Sequence, residues 1–254
     1  MVADIVGDVG LRAVKTCLSG IKEELKVDFV VANAENVSDG KGVTKSAAKA
    51  LFSCGIDVLT TGNHVWDKKE ILNYISNEDR IIRPANYPPT VPGKGYYLCS
   101  SGNGLKLAVI NLMGRVFMPY VDCPFRKADE ILEKMDGCDV IIIDFHAEAT
   151  SEKMALGWYL DGRVTALFGT HTHIQTADER ILTRGTAYIT DVGMTGPRDS
   201  VIGFQIDTIL KKFITTLPQK FKVAAAPYQF NAVLIEVDEN SGKVLEITRI
   251  FDLE

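Results

Sequence analysis

The chain holds four histidines, and each follows a run of apolar residues. His64 closes Gly62-Asn63-His64 after Ile56–Thr61, and His146 closes Asp144-Phe145-His146 after the run that starts at Val140. His171 and His173 stand in Gly169-Thr170-His171-Thr172-His173 after Val164–Gly169. Asp4 with Gly7, and Glu35 with Asn36, mark the ends of two earlier runs. Imidazole, carboxylate and amide oxygen together form a ligand set for a divalent metal such as Fe, Mn, Zn or Co. In His171-x-His173, alternate spacing keeps both rings on one side if the backbone is extended. Taken singly, each piece has a plainer reading: an Asn-His or His-x-His pair as a capped turn, Asp4 as a strand-end turn former. All of them at strand ends in one chain point to a shared centre.

Those strand ends meet only if the elements alternate as in an α/β layered protein, whose carboxyl edge gathers the loops that bind ligands. Val2–Val6 reads as a strand and Gly7–Gly10 as a turn. Leu11, Val14, Leu18, Ile21 and Leu25 then recur at helical spacing. Asp28–Asn33 and Ile56–Thr61 read as strands around a helix Thr44–Cys54, with Thr44 as its cap. A helix Lys68–Ile75 follows, with Asp67 and Glu70 spaced as a capping box. The prolines and glycines of Arg83–Gly95 make a loop. Tyr96–Ser100, a Gly102-Asn103-Gly104 turn and Leu105–Leu112 predict a hairpin. Pro124–Met135, Ser151–Leu160 and Gln205–Leu217 read as helices, and Val140–Phe145, Val164–Gly169 and Thr186–Thr190 as strands. Phe230–Asp238 and Val244–Phe251 close as a hairpin. No repeat or linker divides the chain, so one domain over residues 1–254 is expected.

Composition narrows the partners. Of 254 residues, 46% are hydrophobic and 24% charged, an ordinary globular balance, and the net charge is −5. No whole-molecule basic field is available for duplex nucleic acid. No apolar run approaches the ~20 residues that span a bilayer, and no signal segment is visible, so no membrane partner is expected. The five cysteines are scattered without a C-x-x-C pair, which fits reduced thiols in a cytoplasmic protein. A homo-oligomer remains open.

Asp4, Glu35-Asn36, Gly62-Asn63-His64, His146 and Gly169-Thr170-His171-Thr172-His173 resemble the ligand order of the calcineurin-like metallophosphoesterases. Ala34-Glu35-Asn36 stands where that superfamily usually has Gly-Asp. With the blocks Asn63–Glu70, Asp144–Lys153 and Thr190–Pro197, this is similar to the bacterial YmdB-type phosphodiesterase branch. Ala3 replaces the usual glycine before Asp4, and the first strand is short.

The resemblance implies a β-sandwich core flanked by helices, in αββα layers, and two divalent metal ions, Fe or Mn first and Zn, Co or Mg next. By family analogy Asp4, Glu35, Asn36 and His173 hold one metal. Glu35, Asn63, His146 and His171 hold the other, with Glu35 bridging. The implied reaction is phosphodiester hydrolysis, foremost of 2′,3′-cyclic nucleotides, by a metal-activated hydroxide with His64 as general acid. A phosphomonoesterase, a nuclease, or a metal-binding regulatory protein acting through a partner are the alternatives. Asp67 either orients His64 or caps a helix, and Arg115 either contacts phosphate or is simply solvated. Glu148 and Asp178 are candidates to support the imidazoles. Gly7-Asp8-Val9-Gly10 lacks the rest of a phosphate-binding motif, and Trp66 and Trp158 read as packing residues.

Overall fold

The computed structural model describes residues 1–100, 104–239 and 241–254. β1 (Asp4–Ile5) runs into α1 (Gly7–Glu24), β2 (Val31–Asn33) leads to α2 (Lys45–Ser53), and β3 (Val58–Thr60) passes through a short α3 (Ile71–Tyr74) to β4 (Ile81–Ile82). β5 (Tyr96–Ser100) and β6 (Lys106–Met113) precede α4 (Pro124–Leu132), β7 (Val140–His146), α5 (Thr150–Leu160) and β8 (Ala166–Thr170). β9 (Arg180–Ile181), β10 (Ala187–Ile189) and β11 (Met194–Pro197) lead to α6 (Ile206–Thr215) and a final hairpin of β12 (Tyr228–Val237) and β13 (Val244–Leu253).

Two sheets face each other. One has the order β5-β6-β7-β8-β10-β9. The other joins β4-β3-β2 to β1-β11-β12-β13 through Val2, which bridges to Ala32 on one side and Ala232 on the other. Ala3, Ile142, Phe168, Ile189 and Val233 fill the space between the sheets. Val14, Leu18, Leu51 and Ile71 pack under α1 to α3 on one outer face. Ile131, Phe145, Leu156 and Leu160 pack under α4 and α5 on the other. This is the αββα arrangement expected from the resemblance.

Side chains alternate across a strand, and that period places the chemistry. Along β7, Val140 and Ile142 enter the inter-sheet core. Asp144 and His146 continue the same alternation and are fully buried. On β2, Val31 is followed two residues later by the buried Asn33. The inner faces thus change from aliphatic to polar as they reach the carboxyl edge.

Three expectations are corrected. Gly7–Gly10 is the first turn of α1 and not a separate turn. Gly10 is small because a Cβ there would lie 2.4 Å from the Thr195 carbonyl oxygen on β11. The helix at Lys68–Ile75 contracts to α3, and its capping box does not form. Asp67 turns instead to His64, while Glu70 Oε1 accepts the Lys45 N–H at 2.6 Å and caps α2 beside Thr44, whose hydroxyl accepts from Ala47. The predicted Gly102-Asn103-Gly104 turn falls mostly outside the described residues. β4, β9 and β11 carry no strand signal of their own, being very short or containing Gly196-Pro197. Among the described residues, no helix is long and apolar enough to cross a membrane.

Candidate metal centre

His146 is the hub of the polar edge. Its Nε2 lies 2.9 Å from Glu35 Oε1, 3.1 Å from Asn63 Oδ1 and 3.0 Å from His171 Nδ1. Ligand atoms of Glu35, His146 and His171 all fall within 4.8 Å of one another, a set that could hold a metal ion. Gly62 makes the approach possible, since a Cβ there would sit 2.2 Å from His146 Cδ2 and 2.4 Å from Glu35 Oε2.

A second group forms around Asp4. Its Oδ1 is 3.8 Å from His173 Nε2, and its Oδ2 accepts the His171 N–H at 3.2 Å. Asn36, next to Glu35, donates Nδ2 to the Gly40 carbonyl at 3.0 Å. Asp4 Oδ1 and Asn36 Oδ1 are buried with no hydrogen-bond partner, a condition shared among the described residues only with Glu179 Oε2. An unpartnered buried acceptor costs about 1–3 kcal/mol. A divalent cation is the partner that carboxylate and amide oxygens beside an imidazole would accept. The residues present fit such a group.

His64 stands beside this cluster rather than within it. Its backbone N–H donates to Glu35 Oε2 at 3.1 Å, while its Nδ1 lies 3.0 Å from Asp67 Oδ2. Asp67 therefore orients His64, the first of its two expected roles.

Charge in the cluster is organised around one imidazole. Burial pushes the Glu35 carboxyl up, but the charge and hydrogen bond of His146, with His64, outweigh it and hold Glu35 at about 2. Burial pushes His146 down, yet Glu35, Asp4 and Asp144 surround it and lift it to about 9. Burial and the His146 charge bring His171 down to about 3, and burial also lowers His173. Asp4 is raised well above the carboxylate range by burial, opposed by His146 and reinforced by Asp191, Glu35 and Asp144.

Each imidazole of the cluster has its rear nitrogen secured. The Thr170 hydroxyl donates to Asp144 Oδ1 at 2.7 Å, so at 2.8 Å it accepts from His146 Nδ1 and leaves Nε2 toward the cluster. Asp144 Oδ2 also accepts from Asn33 Nδ2 and the Thr60 hydroxyl. His171 Nε2 lies 3.1 Å from Glu148 Oε2, and His173 Nδ1 donates to the Ile202 carbonyl at 3.0 Å. Such partners fix ring orientation and raise ligand basicity.

The His-x-His segment is not extended. His171 has φ 99° and His173 φ 66°, both left-handed for non-glycine residues. Strain of this kind costs about 1–3 kcal/mol per residue and persists only where the surroundings enforce it. The enforcing group is Asp191, whose Oδ2 accepts from the Thr172 N–H at 3.0 Å, the Thr172 hydroxyl at 2.7 Å and Lys153 Nζ at 2.7 Å. Lys153 and Asp191 are both fully buried.

The remaining candidates divide. Glu148 supports an imidazole as expected. Asp178 instead accepts from the Thr176 hydroxyl at 2.6 Å and the Thr190 N–H at 3.1 Å, bracing the chain and not a histidine. Arg115 is fixed by its backbone N–H, held by both oxygens of Glu152, and its side chain is exposed. The Gly7 N–H is engaged by the Asn36 carbonyl at 3.0 Å. Trp66 packs edge-on against Tyr87, and Trp158 packs under Arg180. Asp144, Asn33, Thr170, Lys153 and Asp191 carried no role in the sequence reading. Only Asp144 had a usable signal, its place two residues before His146 on the same strand face.

A sandwich of two sheets between helices, with histidines and carboxylates at one edge, defines the calcineurin-like metallophosphoesterase class of fold. The 5′-nucleotidase precursor from Thermus thermophilus shares it at a TM-score of 0.55 and 11% identity, over 95% of this chain and 48% of that one. The chain belongs more narrowly to the family described as YmdB-like protein, whose model matches residues 1–250. It is 50% identical to the 2′,3′-cyclic-nucleotide 2′-phosphodiesterase of Bacillus subtilis over 250 residues, 98% of this chain and 94% of that one. The structure of a novel phosphatase from Mycoplasma pneumoniae superposes with a TM-score of 0.94 at 37% identity, covering 99% of this chain and 92% of that one.

Proposed function

We propose that this phosphodiesterase hydrolyses 2′,3′-cyclic nucleotides at the 2′ ester, using two divalent cations, Fe or Mn first. The observation that carries the reading is the pair of orphaned oxygens, Asp4 Oδ1 and Asn36 Oδ1, beside the Glu35, His146 and His171 cluster. Asp4, Asn36 and His173 would hold one cation, Asn63, His146 and His171 the other, with Glu35 shared. The reaction named for the Bacillus subtilis relative supports the substrate.

When bound, the cations supply Lewis-acid polarisation of the phosphoryl oxygens and activation of the attacking water. The chain's own work is placement and proton supply. Thr170, Glu148 and the Ile202 carbonyl aim the three imidazoles, and Asp191 holds the turn that carries two of them. Asp67 Oδ2 accepts from His64 Nδ1–H, so the proton that His64 can donate is the one its Nε2 carries in the imidazolium form. As the oxygen of a water that has given up one proton bonds to phosphorus and the P–O2′ bond breaks, the His64 proton passes to the ribose O2′ and a 3′-phosphate remains. The proton lost by the water offsets the one that His64 donates. The five-membered ring is strained, so one hydroxide and one proton, together one water, suffice to open it.

A nuclease on long duplex substrates finds no support in a net charge of −5. The scattered thiols, all free, suit a reducing cytoplasm. The test is a panel of phosphoesters assayed on one metal-analysed preparation. The reading expects turnover of nucleoside 2′,3′-cyclic phosphates to the 3′-phosphate, abolished by chelation and restored by Fe or Mn. Preferred turnover of phosphomonoesters would contradict it.

A further inference from the structure

The surface beside His64 opens into a groove of about 690 Å³ whose walls include Asp67, Lys41, Lys212, Lys220, Phe204 and Phe221. Asp67 is the residue that holds His64, so the groove starts beside the Nδ1 edge of that ring. Its near wall is tied to the cluster as well, because Asn36 Nδ2 donates to the carbonyl of Gly40. Gly40 itself lies so close to Phe204 that a Cβ would sit 2.9 Å from the ring.

The cations in this groove are not all balanced. Lys68 is engaged by Asp39 at 2.9 Å. Lys41, Lys212 and Lys220 have no ion-pair partner among the described residues. Phe221 is 38% exposed, and its ring centroid lies 5.6 Å from that of Phe204. Unpaired ammoniums along a groove with an exposed aromatic ring are the features that bind single-stranded nucleic acid. The cations follow successive phosphates, and bases stack on the ring whatever their sequence. A mononucleoside cyclic phosphate carries one phosphate, which the metal cluster takes, and gives these lysines nothing to bind.

We propose that the substrates include RNA strands ending in a 2′,3′-cyclic phosphate, with the nucleotides on the 5′ side of the terminal ribose lying in this groove. The inference rests on the cyclic-phosphodiester reading and extends it from a mononucleotide to a strand end. The bond changes are the same: water oxygen bonds to phosphorus, the P–O2′ bond breaks, O2′ takes the His64 proton, and the strand ends in a 3′-phosphate. The whole-molecule charge of −5 lends no long-range attraction, so selectivity comes from this local patch.

The test compares kcat/KM for uridine 2′,3′-cyclic phosphate and for a trinucleotide ending in 2′,3′-cyclic phosphate, on the metal-loaded enzyme. The trinucleotide is expected to be preferred by about tenfold, with the preference falling as salt rises. Lys212→Ala combined with Lys220→Ala, and separately Phe221→Ala, should bring the ratio of the two toward one. A ratio at or below one in the unmodified enzyme, or a preference untouched by these substitutions, overturns the proposal. A labelled trinucleotide 3′-phosphate followed by fluorescence anisotropy reads the groove without turnover. Salt-sensitive binding weakened by the double lysine substitution supports the groove assignment, and absence of binding overturns it. Loss of turnover on both cyclic substrates alongside intact binding would instead remove the parent reading.

Discussion

His64 and His146 are both imidazoles of one edge, yet their surroundings assign them different work. His146 is buried among Glu35, Asn63 and His171, whereas His64 meets Asp67 at the border of the cluster. His64→Ala should therefore retain metal while kcat falls by ~10²–10⁴. A nitrophenyl phosphodiester, whose phenolate leaves without protonation, should suffer much less. Equal losses on both substrates in a metal-replete variant would remove the general-acid role. Glu35→Gln keeps shape but deletes the shared charge, so metal content and turnover should fall together; a variant with both intact would mean that Glu35 is not shared. At this scale the sequence was informative, because a scarce residue type recurred at strand ends. Of the rear partners of those rings only Glu148 was expected from the sequence, since Thr170 and the Ile202 carbonyl reach them only through the fold.

Among the elements, the turn that follows β8 carries two left-handed residues within three positions. Its two left-handed histidines are held by Thr172 on Asp191, and Asp191 is neutralised by Lys153 from α5. Removing one partner of a buried pair leaves an uncompensated charge, a loss of about 3–5 kcal/mol. Lys153→Met should lower the melting temperature sharply in thermal denaturation, and it should weaken metal binding because the turn relaxes. A thermally unchanged variant would show that Asp191 holds the turn without Lys153. The sequence could not predict this brace, because Lys153 reads as an ordinary helix lysine and Asp191 as a loop acid. Local signals also misled: the Gly7–Gly10 pattern looks like a turn, but its second glycine is set by contact with β11. The Asp67–Glu70 spacing looks like a cap, but its two acids serve His64 and α2.

For the whole molecule, alternating elements and the family resemblance made the layers legible, while the way Val2 joins two groups of strands into one sheet depends on pairings distant in sequence. The fold also gathers buried charge in one place, and stability should report it. In chelated protein, His146 is lifted to about 9, above its unfolded value of about 6.5. Its contribution is present below that unfolded value and is lost as pH rises through about 9. Glu35 has the opposite sign, contributing above about 4.3 and losing that contribution as pH falls through about 2. Burial holds the Met1 amino group at about 5, and its contribution rises up to about pH 8, so the His146 effect is the difference between two proteins. Between about pH 6.5 and 9 the chelated unmodified protein should lose melting temperature relative to its His146→Gln variant. Parallel pH profiles of the two proteins would contradict the charge arrangement.

The central claim is that one carboxylate, Glu35, joins two cation positions at the edge of the sandwich. Anomalous diffraction from crystals of metal-loaded protein, collected at the Fe, Mn and Zn edges, tests it most directly. The account predicts two peaks per chain, one bounded by Asp4, Asn36 and His173 and the other by Asn63, His146 and His171, with Glu35 contacting both. A fully loaded crystal with a single peak, or with two peaks that Glu35 does not share, would contradict it.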